Sequence, residues 1–149
     1  MNIPIPGVAF LYAPSECFQA TIGFPFASVV YRPVDDLTLQ LSYALVRTVH
    51  AKATYRLWPG LCLYGAFDWG NESYFLAERL DERDRFFYYD TRASAGVQWR
   101  LARGWSLDLA GGYVFDRFYF EGISFSDRNH NRVDVGDGPF VSLRLGCKF

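Results

Sequence analysis

Few residues of this 149-residue chain combine the types and spacing that catalysis requires. Ser42 and His50 fall on the same side of two neighbouring predicted strands, so a serine nucleophile and a histidine base could act together. No acid that would orient the imidazole is evident beside this pair in the sequence. The pattern therefore favours His50 as one polar residue of a sheet, and we expect no enzymatic activity.

A second set of oxygen-bearing side chains lies in the segment 127–134, where Asp127, Asn129 and Asn131 alternate with other residues as calcium ligands do. The glycine expected at the sixth position is replaced by Arg132, and the twelfth position is Gly138 instead of glutamate. The segment therefore predicts a solvated loop, and we expect neither a metal nor another cofactor.

The largest set of polar side chains is spread over predicted strands, opposite to the apolar residues. Its charged members are Lys52, Arg56, Asp68, Asp90, Arg92, Arg100, Asp108, Asp116, Arg144 and Lys148. Six cations and four anions on facing strands could form cross-strand ion pairs, such as Arg144 or Lys148 with Asp108. We expect such pairs to fill the interior of a narrow barrel; in a wider one the same residues would line a weakly anion-preferring pore.

Alternation of apolar and polar residues predicts strands that position these charges. The alternation is clearest over residues 37–45, 49–57, 61–69, 87–101, 105–115 and 139–149. Two earlier segments, 3–12 and 24–32, are apolar on both sides and also predict strands, with a loop or a single helical turn at 13–21. Spans near ten residues match the 9–11 residues that a tilted strand needs to cross a bilayer.

The predicted connections differ in length on the two sides of the sheet. Those at 33–36, 58–60 and 102–104 are short, and those at 70–85 and 121–138, on the opposite side, are long. A tight turn near Arg47 is the exception on the long side. This asymmetry is typical of outer-membrane barrels.

Aromatic residues cluster at the ends of the predicted strands. Trp58, Trp99 and Trp105 lie at the short-turn ends, and Trp69 and Tyr113 lie toward the other ends. The preference of aromatic residues for strands explains their number but not this placement. Two belts at the lipid–water interfaces are therefore predicted.

The last strand carries apolar residues at every second position up to the end of the chain. These residues are Val141, Leu143, Leu145, Cys147 and Phe149. The pattern resembles the closing strand of bacterial outer-membrane barrels, which the barrel-insertion machinery reads. The resemblance implies that machinery as a partner during biogenesis.

Composition excludes several classes of protein. Half of the residues are hydrophobic, yet the mean hydropathy is only -0.02, so apolar residues are dispersed and no membrane helix is expected. The net charge of -1 gives no reason to expect a nucleic-acid partner. Three cysteines without CxxC spacing argue against zinc and a disulfide framework. The first residues lack the features of a signal peptide, so we expect a mature form or a C-terminal piece of a longer protein.

Several short segments carry a resemblance to one family. They are residues 4–8 (PIPGV), 23–28 (GFPFAS), 31–33 (YRP), 53–56 (ATYR), 113–117 (YVFDR) and the closing strand. Together they resemble a bacterial outer-membrane β-barrel family known only as a domain of unknown function. Members generally begin with a signal peptide and extra strands, so the resemblance implies the C-terminal portion of a longer barrel. No catalytic or ligand residues are established for that family.

These patterns predict an all-β, antiparallel up-and-down transmembrane β-barrel of about eight strands, forming one domain over residues 1–149. We expect a structural or passive-transport, porin-like role in the bacterial outer membrane, with lipid around the barrel. Three alternatives stay open: a soluble lipocalin-like barrel that binds a ligand in an apolar core, an outer-membrane lipid-modifying enzyme that uses His50, and a surface anchor that acts through its long loops.

Overall fold

The computed structural model describes residues 7–44, 48–75, 85–101, 104–129 and 131–147. These residues form ten strands in one sheet: β1 (Val8–Ser15), β2 (Phe18–Phe24), β3 (Phe26–Val34), β4 (Leu37–Ala44), β5 (Thr48–Trp58), β6 (Leu61–Tyr74), β7 (Arg85–Arg100), β8 (Trp105–Gly122), β9 (Val133–Val135) and β10 (Gly138–Cys147). A single 3-10 turn, Phe125–Asp127, separates β8 from β9. In the described ranges, no helix is long and apolar enough to cross a membrane.

The topology is antiparallel and up-and-down. Strands β1 to β8 pair in chain order, β10 pairs with the other side of β8, and the short β9 pairs with the outer part of β8. The predicted all-β, up-and-down arrangement is therefore confirmed. The sheet is not closed, because β1 and β10 form its two edges within the described part of the chain.

The predicted number of eight strands is wrong, and the main error lies near the N-terminus. The segment 13–21, predicted as a loop or helical turn, contains the end of β1, a two-residue turn at 16–17 and the start of β2. Phe18, Ala20 and Ile22 alternate with Gln19 and Thr21, which is the period of a strand. Because the turn has only two residues, β1 and β2 look like one irregular segment in the sequence.

The second error concerns the predicted loops at 70–85 and 121–138. Strand β6 continues to Tyr74, β7 begins at Arg85, and β8 continues to Gly122, so three strands extend beyond the expected ends. A bulge opposite Tyr89 and Thr91 interrupts the alternation of β8, and Asp116 within it has a φ of 53°. A bulge moves later residues out of phase with earlier ones, which hides the extension from a pattern search.

Three short connections lie along one end of the sheet, which we call the turn side: the turns at 35–36 and 59–60, close to their predicted positions, and the turn at 16–17. The opposite end, where β6 is followed by β7 and β8 by β9, is the long-loop side, and it also has one short connection, at Pro25 between β2 and β3. The backbone N–H of Arg56 donates to the carbonyl of Asp36 at 2.8 Å, and that of Arg100 donates to Gly60 at 2.6 Å. Gly60 has a φ of 96°, a conformation that favours glycine. The predicted turns at Arg47 and at 102–104 fall largely outside the described residues.

The register divides the sheet into two faces. The apolar face includes Leu41, Ala51, Phe67, Ala93 and Tyr113, which follow one another across five paired strands. The polar face includes Gln40, Lys52, Ala66, Ser94 and Gly112, which follow one another in the same way. Strict alternation along each strand assigns the remaining residues to one face or the other.

The sheet leaves both faces largely uncovered. Its accessible surface is 11138 Å², whereas a compact monomer of 17.1 kDa exposes about 7,800 Å². The apolar residues at the two edges are among the most exposed: Val8 and Val141 each expose 79% of their surface. A single layer with an uncovered apolar face requires an apolar neighbour.

One buried cluster exists in the described part of the chain. It lies where β6, β7 and β8 continue beyond the bulge, at residues 70–74, 85–90 and 117–122, which we call the extension. It comprises Phe87, Tyr89, Phe118 and Phe120, with Trp69 packed against it. The rings of Phe87 and Phe120 stack at 4.8 Å and those of Tyr89 and Phe118 at 4.9 Å. The Arg132 guanidinium lies 4.0 Å from the centre of the Phe118 ring, so the segment that follows β8 covers this cluster.

Candidate functional site

The polar face brings together eight of the ten charged residues that the sequence assigned to an interior. They are Lys52, Arg56, Asp68, Asp90, Arg92, Arg100, Asp108 and Arg144. Asp116 lies in the bulge and has no register partner, so alternation does not assign its face. Lys148 falls outside the described residues. We call the polar face the candidate site and describe it from its centre outward.

At the centre, Tyr64 connects three strands. Its hydroxyl donates to Asp108 Oδ1 at 2.7 Å, although Asp108 lies two strands away on β8. The intervening residue on β7 is Gly96, where a Cβ atom would lie 2.6 Å from the Tyr64 ring carbon Cζ. The absence of a side chain at Gly96 therefore lets the tyrosine ring lie flat across β7.

The neighbours of Tyr64 complete this central cluster. Gln98 Nε2 donates to the other oxygen of Asp108 at 2.8 Å, and Lys52 Nζ lies 4.3 Å from the centre of the Tyr64 ring. Asp108 thus has a donor on each oxygen and a cation nearby. A buried or half-buried carboxylate is stabilised by such donors.

The predicted pairing of Arg144 with Asp108 is confirmed in register but not as a contact. The two residues are directly opposite on β10 and β8. Among the described residues, the hydrogen bonds of the Asp108 carboxylate come from Tyr64 and Gln98 instead. Arg144 lies on the strand adjacent to Asp108, whereas Tyr64 reaches Asp108 across the intervening strand β7.

Closer to the long-loop side, the polar face carries a second set of polar contacts. His50 Nδ1 bonds to Asp68, and Asp68 lies opposite Arg92 in register. Arg92 donates to Asp90 Oδ2 from Nε at 2.8 Å and from the guanidinium NH₂ at 2.5 Å. These residues form two bonded pairs, His50 with Asp68 and Arg92 with Asp90, which lie beside each other on neighbouring strands.

The polar contacts continue into the extension. Arg117 donates to the hydroxyl of Tyr88 at 3.3 Å and to the carbonyl of Gly136 at 3.3 Å. Farther out, the Glu72 carboxylate accepts a hydrogen bond from Tyr74 and raises the pKa of this tyrosine. These polar side chains therefore have partners within the protein, whereas the buried Oδ1 of Asn71 on β6 accepts no hydrogen bond from the described residues.

The contact between His50 and Asp68 supplies the acid that the sequence did not reveal. Ser42, His50 and Asp68 are consecutive partners on β4, β5 and β6, which is the order of a nucleophile, base and orienting acid. Ser42 makes no side-chain hydrogen bond within the described part of the chain, however. It also pairs with Ser28 on its other side, so the nearby backbone belongs to sheet ladders and offers no oxyanion hole.

At the turn side, the polar face forms an open recess of about 530 Å³. Arg56 binds Asp36 at 3.0 Å and the Asp35 carbonyl at 2.5 Å, which ties β5 to the neighbouring turn. Arg32 and Arg100 also line the recess. Two acidic and three basic side chains leave this mouth close to neutral, with a small excess of positive charge.

The predicted interfacial aromatics occupy two environments. Trp58, Trp99, Trp105 and Tyr113 are exposed, and the three tryptophans lie at the turn side. Trp69 instead packs edge-on against Tyr89 at 5.6 Å, in the buried cluster. On the closing strand, Val141, Leu143, Leu145 and Cys147 share the apolar face, and Phe149 lies outside the described residues.

The segment with calcium-like spacing uses its carboxylates to shape the loop. Asp127 accepts hydrogen bonds from the backbone N–H groups of Ile123 and Ser124, at 3.1 and 2.9 Å. Asp134 forms an ion pair with Arg132 at 2.6 Å. Nowhere in the described ranges do three His, Cys, Asp or Glu side chains converge as metal ligands would.

Sequence reasoning missed the roles of Tyr64 and Gly96, although a signal was present. An aromatic residue directly opposite a glycine in a neighbouring strand can lie over that glycine.

Comparison of the chain with family models, with curated proteins and with solved structures gave no significant match.

Proposed function

We propose that this chain forms the wall of a β-barrel in the bacterial outer membrane, with a structural or passive-transport role and no enzymatic activity. The observation that carries the proposal is the contrast between the two faces. The apolar face exposes Leu63, Phe67 and Leu109, whereas polar groups on the other face are bonded to one another, as Tyr64 is to Asp108 and Arg92 is to Asp90. Lipid is a suitable neighbour for the first face.

The spacing of aromatic residues supports this neighbour. Trp105 and Tyr113 lie eight residues apart on the apolar face of β8, which is about 27 Å along a strand. At a strand tilt of about 40°, this separation is roughly 21 Å along the membrane normal. The value is comparable with the apolar band of about 25 Å in outer-membrane barrels.

The sizes of the side chains favour the polar face as the inner surface. Gly96 and Gly112 lie on this face beneath the rings of Tyr64 and Phe140, which lie flat across their neighbours. Side chains converge on the inner surface of a small barrel, where small residues must alternate with large ones. A soluble lipocalin-like barrel would place the apolar face inside, with Trp58, Trp99 and Trp105 together at one mouth.

The role of the barrel follows from how its interior is filled. The ion pairs and hydrogen bonds across β5 to β8 occupy the centre of the polar face and favour a structural role or slow passage of small solutes. A catalytic role has less support because Ser42 is not bonded to His50 and no oxyanion hole is present in the described sheet.

Vesicle binding tests the membrane proposal. The chain, diluted from urea into lipid vesicles, should float with the vesicles and resist extraction by fresh urea, because its apolar face is in hydrocarbon. A chain that stays folded and monodisperse in plain buffer would contradict the proposal. Swelling of the same vesicles in small sugars then distinguishes passive transport from a purely structural role.

A further inference from the structure

The polar face curves around the recess at the turn side. Arg32 lies on β3 and Arg100 on β7, so four spacings between paired strands separate the two residues. On a flat sheet these strands would be about 19 Å apart, whereas a sphere with the volume of the recess, about 530 Å³, is about 10 Å across. Both arginines line this one recess, so the polar face is concave there and brings distant strands to a common space.

Small side chains form the floor of the recess, and long ones form its rim. Thr38 and Thr54 are direct partners on β4 and β5, and Cys62 follows on β6; all three are half-buried and line the recess. The arginines that line it are exposed. The recess therefore presents hydroxyl and thiol groups at its floor and guanidinium groups around them.

The charges of the recess are only partly balanced by one another. Three arginines and two aspartates line it. Arg56 is committed to the turn, because it forms an ion pair with Asp36 at 3.0 Å and also donates to the carbonyl of Asp35. Once this ion pair is set aside, two guanidinium groups, those of Arg32 and Arg100, and one carboxylate, that of Asp35, remain.

These two guanidinium groups have donors that the protein itself does not use. Arg32 reaches the carbonyl of Glu16 at 3.5 Å, the outer limit of a hydrogen bond. Among the described residues, the Arg100 side chain has no hydrogen bond or ion pair, although its backbone N–H is bonded to Gly60. A guanidinium is a planar fork of N–H donors that matches the oxygens of a phosphate. The recess therefore combines positive charge with unused donors on two of its sides.

We propose that the turn-side recess binds a phosphate group between Arg32 and Arg100, with the hydroxyls of Thr38 and Thr54 as further donors. A phosphate suits the recess because its tetrahedral oxygens can accept hydrogen bonds from two forks and from the floor at once. A cation suits it less, since Asp35 is the one carboxylate of the recess that Arg56 does not pair. The site goes beyond the structural or passive-transport role and requires only the curved sheet, so it does not depend on lipid.

The native thiol of Cys62 reports whether the recess is occupied. The full chain, with Cys17 and Cys147 replaced by serine, is folded in detergent and labelled at Cys62 with an uncharged maleimide. Labelling is followed in increasing inorganic phosphate and, separately, in sodium chloride at the same ionic strength. Glycerol 3-phosphate in a parallel titration distinguishes free phosphate from a phosphate ester as the ligand.

We expect phosphate to slow the labelling of Cys62 several-fold, with a half-maximal effect at about 1–10 mM, because exposed charge pairs each contribute little. Chloride should leave the rate unchanged. Equal rates in phosphate and in chloride would show screening alone and would overturn the proposal. That result would leave the membrane barrel intact, whereas a chain that is folded in buffer without detergent would contradict the membrane location and not the site.

Charge variants locate the site. Arg32→Gln and Arg100→Gln should each raise the half-maximal phosphate concentration about tenfold, and Asp35→Asn should lower it. Arg144→Gln is the matched control, because Arg144 is an exposed arginine of the polar face outside the recess, and it should have no effect. If Arg144→Gln weakened phosphate binding as much as the other two arginine variants, the face would attract anions in general and the assigned site would be wrong.

Phosphorus NMR measures binding without the thiol. The signal of inorganic phosphate should broaden when the folded parent chain is added and should stay sharp with the double variant Arg32→Gln, Arg100→Gln. Circular dichroism shows whether this variant keeps its strands, and Asp35→Asn, which should broaden the signal further, provides a test that does not remove either arginine. A sharp phosphate signal in the presence of the parent chain would overturn the proposal whether or not Cys62 can be labelled.

Discussion

Gly96→Ala tests the central cluster of the polar face most sharply. A Cβ atom at this position would lie 2.6 Å from the Leu109 carbonyl oxygen, 2.6 Å from Tyr64 Cζ and 2.7 Å from Tyr64 Oη. Ordinary contacts between carbon atoms are about 3.5–4.0 Å, so the ring must move by about 1 Å. That movement takes the Tyr64 hydroxyl, now 2.7 Å from Asp108, out of hydrogen-bonding range.

The expected loss combines three effects. A hydrogen bond to a charged group contributes about 1.5–3 kcal/mol, and strain against the Leu109 carbonyl adds about 1–3 kcal/mol. Alanine also lowers the conformational entropy of the unfolded chain, which offsets this loss of stability by about 0.4–1 kcal/mol. The free energy of unfolding should therefore fall by about 1.5–5.5 kcal/mol, or by about 0.8–2.8 M in the urea midpoint at an m-value of about 2 kcal/mol/M.

Urea unfolding in detergent, followed by tryptophan fluorescence, measures this change. All four tryptophans lie on β5 to β8, the strands that carry or adjoin the cluster. Gly65→Ala is the matched control, because its Cβ would meet nothing closer than the Ser94 carbonyl oxygen at 4.0 Å. This control should leave stability unchanged or raise it by up to about 1 kcal/mol.

A double-mutant cycle with Tyr64→Phe separates the hydrogen bond from the clash. Tyr64→Phe alone should cost about 1.5–3 kcal/mol, and the added cost of Gly96→Ala should be smaller in that background because the hydroxyl is already lost. If Gly96→Ala behaves like Gly65→Ala, the tyrosine does not lie across β7 and the description of the cluster is wrong.

Three further predictions concern other parts of the chain. Arg132→Ala removes the cation above Phe118 and the ion pair with Asp134, so limited proteolysis should cut the segment 123–137 several-fold faster without affecting vesicle binding. Exposed Asn129→Ala is the control, and equal rates of cleavage for Arg132→Ala and the parent chain would contradict the expectation. Ser42→Ala and His50→Ala should leave any lipid-ester hydrolysis at the level of the parent chain, and a loss of turnover in both variants would contradict the proposed lack of activity. Arg56→Ala removes an exposed ion pair with the turn at 35–36 and should lower the free energy of unfolding by less than about 1 kcal/mol. A larger loss in a urea titration would contradict this and show that the ion pair holds the turn-side recess rigid.

Local alternation predicted the strands whose two faces differ clearly. Leu39 with Gln40, and Leu63 with Tyr64, repeat at intervals of two, so β4 to β8 and β10 were found close to their observed positions. The two-residue turn before Phe18 left no such interruption, and β2 was missed. The number of pairings between β1 and β10 changed with it, which is why the parallel orientation of the two edge strands could not be obtained from the sequence.

Contacts between side chains two strands apart could not be predicted from the pairing of adjacent strands alone. The register of Arg144 with Asp108 was predicted, but the partner of Asp108 lies two strands away because Gly96 leaves room for Tyr64. The acid beside His50 was missed for a simpler reason. Asp68 was assigned to the same face, yet its level along β6 depends on a register that only the paired strands define.

The extension above the bulge was missed because its alternation changes phase. Asp116 adds one residue to β8, so Phe118 and Phe120 return to the face of Phe115 only after the bulge. Asn71 and Glu72, which resemble loop residues, are part of β6 there. Phe120, at 1% exposure, stacks against Phe87 of the neighbouring strand, a tertiary contact that alternation along β8 does not show.

The most direct test of the membrane account places a fluorophore on each face of the sheet. In a chain with its native cysteines replaced by serine, Leu109→Cys carries the label on the apolar face and Ser94→Cys carries it on the polar face, at the middle of β8 and β7. In vesicles, we expect brominated acyl chains to quench the label at position 109 and aqueous iodide to quench the label at position 94. The reverse pattern, or quenching of both labels by iodide alone, would contradict a lipid-facing apolar surface.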